Sequence, residues 1–225
     1  MKTILRRIGN AALDLLFPRR CPFCERLLDD GEEPVCSTCQ RELPWQIGEQ
    51  SRRKGEFFTV CVAPLIYQDT VRLSHHRYKF GGRRCYAVPY ATLMAQCVQD
   101  ELSDPFDLVT WVPLSRRRFR GRGYDQARLL AERTATLLGV DCVPALDKLR
   151  HTPAQSGLSD AAARRGNVLG AYSVCPDAEV AGRRILLVDD VMTTGATLSE
   201  CARVLRAAGA TQVCCAALAH SARDK

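Results

Sequence analysis

The sequence predicts an α/β protein, with a parallel sheet flanked by helices behind a small metal-stabilised module at the N-terminus. Residues 185–188 form a continuous apolar run, Ile-Leu-Leu-Val, typical of a parallel strand that is buried on both faces. A second core strand is predicted at 107–113, and a helical pattern follows each strand. Two CxxC pairs near the N-terminus stand in a segment too small to have a core of its own.

The apolar run ends in two acids, Asp189 and Asp190, where the carboxyl end of a parallel strand opens into a ligand-binding crevice. A hydroxyl-rich turn before a helix follows, made of Thr193, Thr194, Gly195, Ala196 and Thr197. The backbone N–H groups and the positive end of the helix dipole suit a phosphate there. Carboxylates, which only accept hydrogen bonds, suit the vicinal hydroxyls of an attached sugar. A generic strand-to-helix turn of a doubly wound domain is the alternative interpretation.

This order of four apolar residues, two acids and a threonine- and glycine-rich loop resembles the 5-phosphoribosyl-1-pyrophosphate (PRPP) binding motif of the type I phosphoribosyltransferases. The resemblance implies a type I phosphoribosyltransferase-like sheet. In that fold Asp189 and Asp190 would be the catalytic pair that holds the ribose hydroxyls. The turn from Thr193 to Thr197 would hold the 5-phosphate.

Composition indicates a soluble globular protein with one main domain and a small appendage in 225 residues. The formal net charge is +7, and five arginines lie within residues 116–122, so anionic ligands are expected. A solvated loop is the alternative for that charge run. Helical spacing predicts an amphipathic helix over residues 3–17, whose apolar face packs on the main domain or on a membrane surface. We expect no membrane span, no signal peptide and a cytoplasmic protein.

The two CxxC pairs predict a structural zinc site, with eleven residues between them. Four thiolates at this spacing complete a tetrahedral site with Zn–S bonds of about 2.3 Å. The ligands would be Cys21, Cys24, Cys36 and Cys39. Independent redox motifs are the alternative. The other eight cysteines show no such spacing and are expected to be buried thiols.

Residues 46–56 are polar and predict a linker, after which a strand is expected at 57–67. Lys79 precedes two glycines that allow close approach of a ligand, so it is a candidate phosphate contact. Adjacent His75 and His76 point to different faces and favour surface or packing roles over a metal site.

The turn Pro113-Leu114-Ser115 ends the strand at 107–113 and leads into an arginine-rich loop at 116–123, then a helix at 124–138. Guanidinium groups such as that of Arg116 favour pyrophosphate, with nucleic acid as the rival ligand. Aromatic residues beyond Phe119 and Tyr124 are lacking in this segment, so no stacking platform for single strands is expected. Residues 148–170 are a long polar insertion, either a lid or a surface excursion, and a final strand is expected at 211–219.

Several segments together resemble the ComF/GntX group of phosphoribosyltransferase-like proteins: CPFC and CSTC, HHRYKFGG, VPLSRRRFRGRGYDQA, HTPAQSGLS, RRGN and ILLVDDVMTTGATL. The resemblance implies an N-terminal zinc module before a type I phosphoribosyltransferase fold, and a link to competence and incoming DNA. We therefore expect the N-terminal helix and the four-cysteine zinc ribbon over 1–45, the linker at 46–56, and the phosphoribosyltransferase-like domain at 57–225. The segment from Pro113 onward would hold the pyrophosphate. Two features depart from many relatives. Asp125 stands where they have an amide, and only four cysteines are grouped.

Two functions follow from the sequence. The first is a magnesium-dependent transfer of ribose 5-phosphate from PRPP to an unidentified acceptor. The second is a non-catalytic module that senses PRPP, or whose basic surface and zinc ribbon bind single-stranded DNA or competence proteins. A defined acceptor pocket would discriminate them, and the sequence displays none. The oligomeric state is left open.

Overall fold

The computed structural model of the chain describes residues 19–29, 34–150, 166 and 168–222. The predicted N-terminal helix at 3–17 and most of the 148–170 insertion lie outside these residues. The described strands are β1 (Arg52–Arg53), β2 (Cys61–Val62), β3 (Leu65–Ile66), β4 (Leu108–Trp111), β5 (Leu146–Lys148), β6 (Tyr172–Val174), β7 (Arg184–Val188), β8 (Val191–Met192), β9 (Gln212–Ala216) and β10 (Ala219–His220). The helices are α1 (Ser37–Glu42), α2 (Asp69–Phe80), α3 (Ala87–Glu101), α4 (Arg116–Arg122), α5 (Gln126–Leu138) and α6 (Ala196–Ala207).

The main sheet has five strands in the order β1-β2-β9-β7-β4. All neighbours are parallel except β1, which pairs antiparallel with β2 at the edge. A second sheet, β3-β10-β8, is parallel, and β5 and β6 form an antiparallel pair. The carboxyl ends of β4 and β7 therefore lie side by side, and Val112 N still donates to Val188 O at 3.0 Å.

Strand β7 is covered on both faces, as its apolar run predicts. Leu186 and Val188 pack into the core with Leu130 of α5, whereas Ile185 and Leu187 pack into a second core with the apolar side of α6. All four side chains of the run are fully buried. Each such side chain contributes about 1.5–3 kcal/mol of hydrophobic stabilisation, so the run firmly anchors the acids that follow it.

The N-terminal cysteine module shares the core of the main domain. Phe23 is buried against Tyr90 of α3, with ring centroids 5.6 Å apart. Ile66 N donates to Pro44 O at 2.9 Å, which joins the end of the module to β3. The module is therefore a packed part of one α/β unit.

Residues 46–56 are more ordered than a polar linker. Gln46 and Ser51 are buried, and Gln46 Nε2 donates to Leu65 O at 2.8 Å. Arg53 donates to Gln46 Oε1 at 3.0 Å, and β1 extends the main sheet. Polar side chains here form hydrogen bonds with buried backbone groups. From composition alone, such side chains look the same as solvated ones.

The arginine-rich segment at 116–123 is helix α4 rather than the expected loop. Ser115 caps its start, accepting from Arg118 N at 3.4 Å, and Gly123 ends it in the left-handed region at φ 75°. Arginine is a good helix former, and these two caps satisfy end groups of a short helix. The expected strand at 57–67 is likewise divided into β2 and β3, and the final strand into β9 and β10. Among the described residues, no helix is long and apolar enough to cross a membrane.

Candidate functional site

The acid pair lies at the carboxyl end of β7 and is tied to the neighbouring strand. Asp189 N donates to Ala216 O at 3.0 Å, and Leu218 N donates to Asp190 O at 3.1 Å. Asp189 Oδ1 accepts from Asp190 N at 2.8 Å. Because both backbones are fixed by the sheet, the two carboxylates have defined positions at its edge.

The turn after the acids brings hydroxyl groups and a helix start to the same edge. Gly195 has φ 76° and immediately precedes α6. A Cβ at this position would lie 2.7 Å from Met192 Cε, so both backbone angle and space favour glycine. Thr193 and Thr197 line the cleft in front of the acids. Thr194 is exposed, and neither it nor Ala196 is part of that lining.

Helix α2 places a lysine and a histidine on the second acid. Lys79 Nζ lies 3.0 Å from Asp190 Oδ2, and His75 Nε2 lies 3.3 Å from the same oxygen. His75 Nδ1 is 3.1 Å from the hydroxyl of Tyr67, which also lines the cleft. Lys79 therefore contacts a carboxylate in this structure, and His75 is a buried site residue that the sequence assigned to packing.

These neighbours separate the acid–base properties of the two acids. Burial and the negative charge of Asp190 raise the pKa of Asp189 to about 8. Burial opposes ionisation of Asp190, but Lys79 and His75 overcome it and hold its pKa far below the usual range. Burial and Lys79 lower the pKa of His75. At neutral pH the acid pair thus carries about one negative charge, on Asp190.

The segment after β4 forms the opposite wall, and its shape depends on Asp125. This buried carboxylate accepts from Leu114 N at 3.0 Å through Oδ2 and from Arg128 N at 3.2 Å through Oδ1. It therefore caps α5 and holds the turn from Pro113 to Ser115. Both interactions require an acceptor, which explains why an acid serves at this position.

Two arginines of α4 line the cleft, and Arg116 is not one of them. Arg118 and Arg122 are part of the lining, whereas Arg116 lines a separate groove with Leu114, Phe119 and Arg120. Arg122 Nη1 donates to Gln126 Oε1 at 2.8 Å, and its guanidinium lies 4.9 Å from the centroid of the Phe80 ring. Arg118 and Arg122 both reach the cleft because residues four apart lie on the same face of a helix.

The cleft formed by these elements has a volume of about 500 Å³. Pro113 and Leu114 contribute to its wall, and Ser115 is buried behind them as the cap of α4. Lys148 of β5 lies in the wall as well, donating to the Tyr172 hydroxyl at 2.8 Å. Burial, together with Arg118, lowers the pKa of Lys148 to about 8. Cationic side chains thus surround a single net carboxylate charge, an arrangement suited to a polyanion that carries hydroxyls.

The four cysteines of the two CxxC pairs come together as one group. Their sulfur atoms all lie within 4.8 Å of one another, and Cys24 Sγ is 3.6 Å from Cys36 Sγ. Tetrahedral coordination with Zn–S bonds of about 2.3 Å requires sulfur atoms about 3.8 Å apart, so the geometry fits zinc. Cys21, Cys36 and Cys39 are buried and Cys24 is exposed. Four thiolates close the coordination sphere, which makes this zinc structural.

The remaining cysteines only partly match the expectation of buried thiols. Five are buried: Cys61, Cys97, Cys201, Cys214 and Cys215. Cys142 and Cys175 are half-buried, and Cys85 is exposed. Cys85 lies in a short helical turn after α2, between exposed Arg84 and buried Tyr86, so spacing alone did not reveal its exposure.

Known proteins match both parts of the chain. The phosphoribosyl transferase domain family matches residues 128–225, and the double zinc ribbon domain family matches residues 12–54. The chain is 30% identical over 219 residues to "Competence protein F" of Haemophilus influenzae, covering 88% of this chain and 95% of that protein. The chain belongs to the ComF/GntX family. A second member, "DNA utilization protein YhgH" of Escherichia coli K12, is 37% identical over 208 residues, covering 87% of this chain and 82% of that protein.

This ComF family member is thus a phosphoribosyltransferase-like α/β protein with an N-terminal zinc ribbon. Among solved structures it is similar to the glutamine PRPP amidotransferase from B. subtilis complexed with ADP and GMP. That match has a TM-score of 0.44 and 24% identity, and it covers 64% of this chain and 30% of that one. The chain therefore spans less than a third of that enzyme. One group of four cysteines is present among the described residues of the double zinc ribbon region.

Proposed function

We propose that this ComF family member binds PRPP in the cleft at the carboxyl end of β7 and transfers ribose 5-phosphate to an acceptor. The observation that supports this most directly is the shared cleft. The acid pair, two threonines of the turn at the start of α6 (Thr193 and Thr197), and Arg118 and Arg122 of α4 all line one cavity of about 500 Å³. Such a cavity has room for a phosphorylated sugar. Its cationic side chains suit the phosphates of PRPP, and its carboxylates suit the ribose hydroxyls between them.

The ribose and its 5-phosphate would be bound by β7 and the turn that follows. Gly195 permits a close approach to the start of α6, where backbone N–H groups and the helix dipole favour a phosphate. Asp190 is ionised and accepts hydrogen bonds from the ribose hydroxyls, whereas Asp189, with its pKa near 8, adds no second charge at neutral pH. The acids therefore contribute through the sugar and avoid repelling the phosphates.

The pyrophosphate would lie toward Pro113, Leu114 and the two arginines. Guanidinium groups bind phosphate oxygens in pairs, and Arg118 and Arg122 stabilise charge that develops on the leaving group. Magnesium bound to PRPP would neutralise part of that charge. The acids offer it little, because Asp190 Oδ2 is occupied by Lys79 and His75, and this cation usually enters such sites on the substrate phosphates.

In the proposed reaction the bond between the ribose anomeric carbon and pyrophosphate breaks, and its electron pair leaves on the pyrophosphate oxygen. A bond from an acceptor nitrogen to that carbon forms, and the proton that the nitrogen loses passes to pyrophosphate or to water. Positioning of the two reactants supplies much of the rate enhancement. A non-catalytic PRPP sensor would use the same contacts without an acceptor. Release of pyrophosphate distinguishes the two functions.

Two measurements test this proposal. Calorimetric titration with magnesium-PRPP and with ribose 5-phosphate measures binding, and a pyrophosphate-release assay with a panel of nucleobases measures transfer. We expect both ligands to bind, PRPP more tightly because of the arginines. If neither ligand binds the zinc-loaded chain, the cleft has no role in phosphoribosyl chemistry. Binding without release for any acceptor would favour the sensor.

A second candidate function, binding of single-stranded DNA, is favoured by an aromatic and basic surface beside the cleft. Phe80 is 62% exposed and lies 4.9 Å from the His76 ring, and Phe119 is 48% exposed on α4. Arg116, Arg117 and Arg120 are exposed on the same helix. Tyr124, the other aromatic residue of this segment, is only 6% exposed and is therefore unsuited to stacking. The surface thus combines aromatic faces with phosphate-binding charges. Relatives are named for competence and DNA utilization.

The DNA proposal predicts binding that depends on salt and on aromatic stacking. Neutralising Arg116, Arg117 and Arg120 should lower the slope of log K against log salt by about 2 for single strands. Phe119→Ala should cost about 1–3 kcal/mol per stacked base. Leu137→Ala, which truncates an exposed apolar side chain of α5, is the matched control. An unchanged slope and unchanged affinity in the first two variants, measured by fluorescence anisotropy, would place any DNA contact elsewhere.

A further inference from the structure

Helix α2 connects the zinc module to the candidate site, because two of its faces meet the two centres. Ser74 and Arg77 face the zinc module, and His75 and Lys79 face Asp190. Successive residues of an α-helix are about 100° apart around its axis and about 1.5 Å apart along it. A shift or rotation of α2 therefore moves both sets of side chains together.

The first knuckle of the zinc module, residues 19–29, binds α2 through its metal-binding turn. Arg77 Nη2 donates to Phe23 O at 2.6 Å and to Pro22 O at 3.2 Å. Ser74 Oγ donates to the same Pro22 carbonyl. Pro22 and Phe23 lie between Cys21 and Cys24, so zinc held by these cysteines would fix the turn that carries the two carbonyls.

Glu25 of the knuckle adds an ion pair to Arg77 of α2 and contacts two residues of the segment after α2. Glu25 Oε2 lies 3.7 Å from Arg77 Nε, and Glu25 Oε1 lies 3.4 Å from Arg83 Nη2 and accepts from the Tyr86 hydroxyl at 3.1 Å. Glu25 itself has φ 61°, a backbone angle that few non-glycine residues adopt. The cysteine turn therefore constrains the local backbone that presents Glu25 to these partners.

On its other side α2 is joined to α5. The Tyr78 hydroxyl donates to Gln126 O at 3.0 Å, and the Tyr124 hydroxyl donates to Tyr78 O. These contacts do not involve the zinc module. If the knuckle contacts were lost, α2 would therefore stay attached to the domain through Tyr78. The helix could then rotate or tilt about the Tyr78 contacts.

We propose that the zinc knuckle positions the ribose-binding acid: through Arg77 and Ser74 it sets the orientation of α2, and α2 in turn places Lys79 and His75 on Asp190. Arg77 is a positioning residue in this arrangement, since it touches neither the cleft nor its acids. The inference rests on the proposed PRPP site and adds to it a dependence of ligand affinity on the zinc module.

A double-mutant cycle between the two faces of α2 tests the coupling in the zinc-loaded full chain. Arg77→Ala should weaken magnesium-PRPP binding about tenfold in calorimetry. The same substitution in a Lys79→Ala background should change affinity less than twofold, because the side chain that Arg77 positions is already gone. Arg77→Lys should restore part of the loss by keeping the charge opposite Glu25.

Arg83→Ala is the matched control, because it removes an arginine from the same Glu25 but lies outside α2 and the cleft. We expect wild-type zinc content and PRPP affinity for it. Unchanged affinity in Arg77→Ala, or equal losses in both backgrounds of the cycle, would overturn the positioning role. An equal loss in Arg83→Ala would also overturn it. If wild-type protein binds neither PRPP nor ribose 5-phosphate, the proposed function fails together with this inference.

Hydrogen exchange supplies a second test that needs no ligand and tolerates a poorly behaved variant. Removing zinc with a chelator should speed amide exchange in α2 at least tenfold, on the order seen for local release of a helix, while α5 keeps its protection. Unchanged exchange in α2 would overturn the inference. Uniform loss of protection in α2 and α5 would overturn it as well, because zinc would then support the whole fold and not the orientation of one helix.

Discussion

Gly195 is the position where the geometry of the proposed phosphate-binding turn can be tested against a matched control. Its φ is 76°, and an added Cβ would lie 2.7 Å from Met192 Cε and 3.8 Å from Phe58 Cζ. Gly139, at the end of α5, has φ 68° and no atom within 4 Å of an added Cβ. Gly139→Ala therefore measures the cost of the backbone angle, and substitutions of Gly195 add the cost of contact and of the site.

The backbone angle costs an L-residue about 1–2 kcal/mol, and the stiffer unfolded chain returns about 0.4–1 kcal/mol. The net for Gly139→Ala is about 1 kcal/mol, or about 2–4 °C in Tm for a chain of this length. Gly195→Val also crowds the site, which typically costs about 1–3 kcal/mol, although the Met192 terminus is flexible. We therefore expect a total of about 2–4 kcal/mol, or roughly 4–16 °C in Tm.

The assay is thermal unfolding followed by circular dichroism, together with calorimetric titration of PRPP and ribose 5-phosphate at a temperature where all variants are folded. Gly139→Ala should bind both ligands like the wild type, and Gly195→Val should bind neither measurably, since its methyl groups block the approach to the start of α6. The reasoning is refuted if Gly195→Val is as stable as Gly139→Ala and binds ribose 5-phosphate normally.

Further outcomes concern the metal, the ribose and pH. Metal analysis should find one zinc per chain, lost in the double variant Cys36→Ser, Cys39→Ser but kept in Cys85→Ser; full occupancy in the double variant would disprove the site. Asp190→Ala should weaken PRPP roughly tenfold to a hundredfold in calorimetry, since an unmet hydroxyl contact costs about 1–3 kcal/mol. PRPP affinity should fall between pH 7 and pH 9, because Lys148, with its pKa about 8, loses its positive charge in that range. Asp189 gains a negative charge in the same window, so Lys148→Met should reduce the fall without abolishing it, and a flat wild-type profile would contradict both assignments.

The burial of charge at the cleft explains why its acids and bases are distributed as they are. A buried carboxylate without a partner would be costly, and Asp190 keeps the Lys79 ammonium at 3.0 Å and the His75 imidazole at 3.3 Å. Asp189 keeps part of its surface exposed, but protein atoms surround its carboxyl group closely. Its pKa is therefore raised, and it keeps its proton at neutral pH. A bound ribose would therefore meet one strong acceptor and one group able to donate.

Local sequence determined the elements whose chemistry and spacing lie within a few residues. The apolar run of β7, the acids after it, the glycine before α6 and the two CxxC pairs were all predicted from short segments, because hydrophobic period, backbone permissiveness and ligand spacing are local properties. The ComF/GntX resemblance and the α/β class with its zinc ribbon were predicted in the same way, and the relatives confirm them.

Tertiary structure alone decided which distant side chains share the cleft. Lys79 and His75 meet Asp190 only because α2 crosses the end of β7, and Arg118 and Arg122 reach the cleft because their segment is a helix, where residues four apart share a face. The polar composition of residues 46–56 predicted a linker. Composition does not show whether a polar side chain is solvated or bonds a buried backbone group, as Gln46 does with Leu65. The contact between the knuckle carbonyls and Arg77 likewise joins segments more than fifty residues apart in sequence, and no local pattern encodes such a distance.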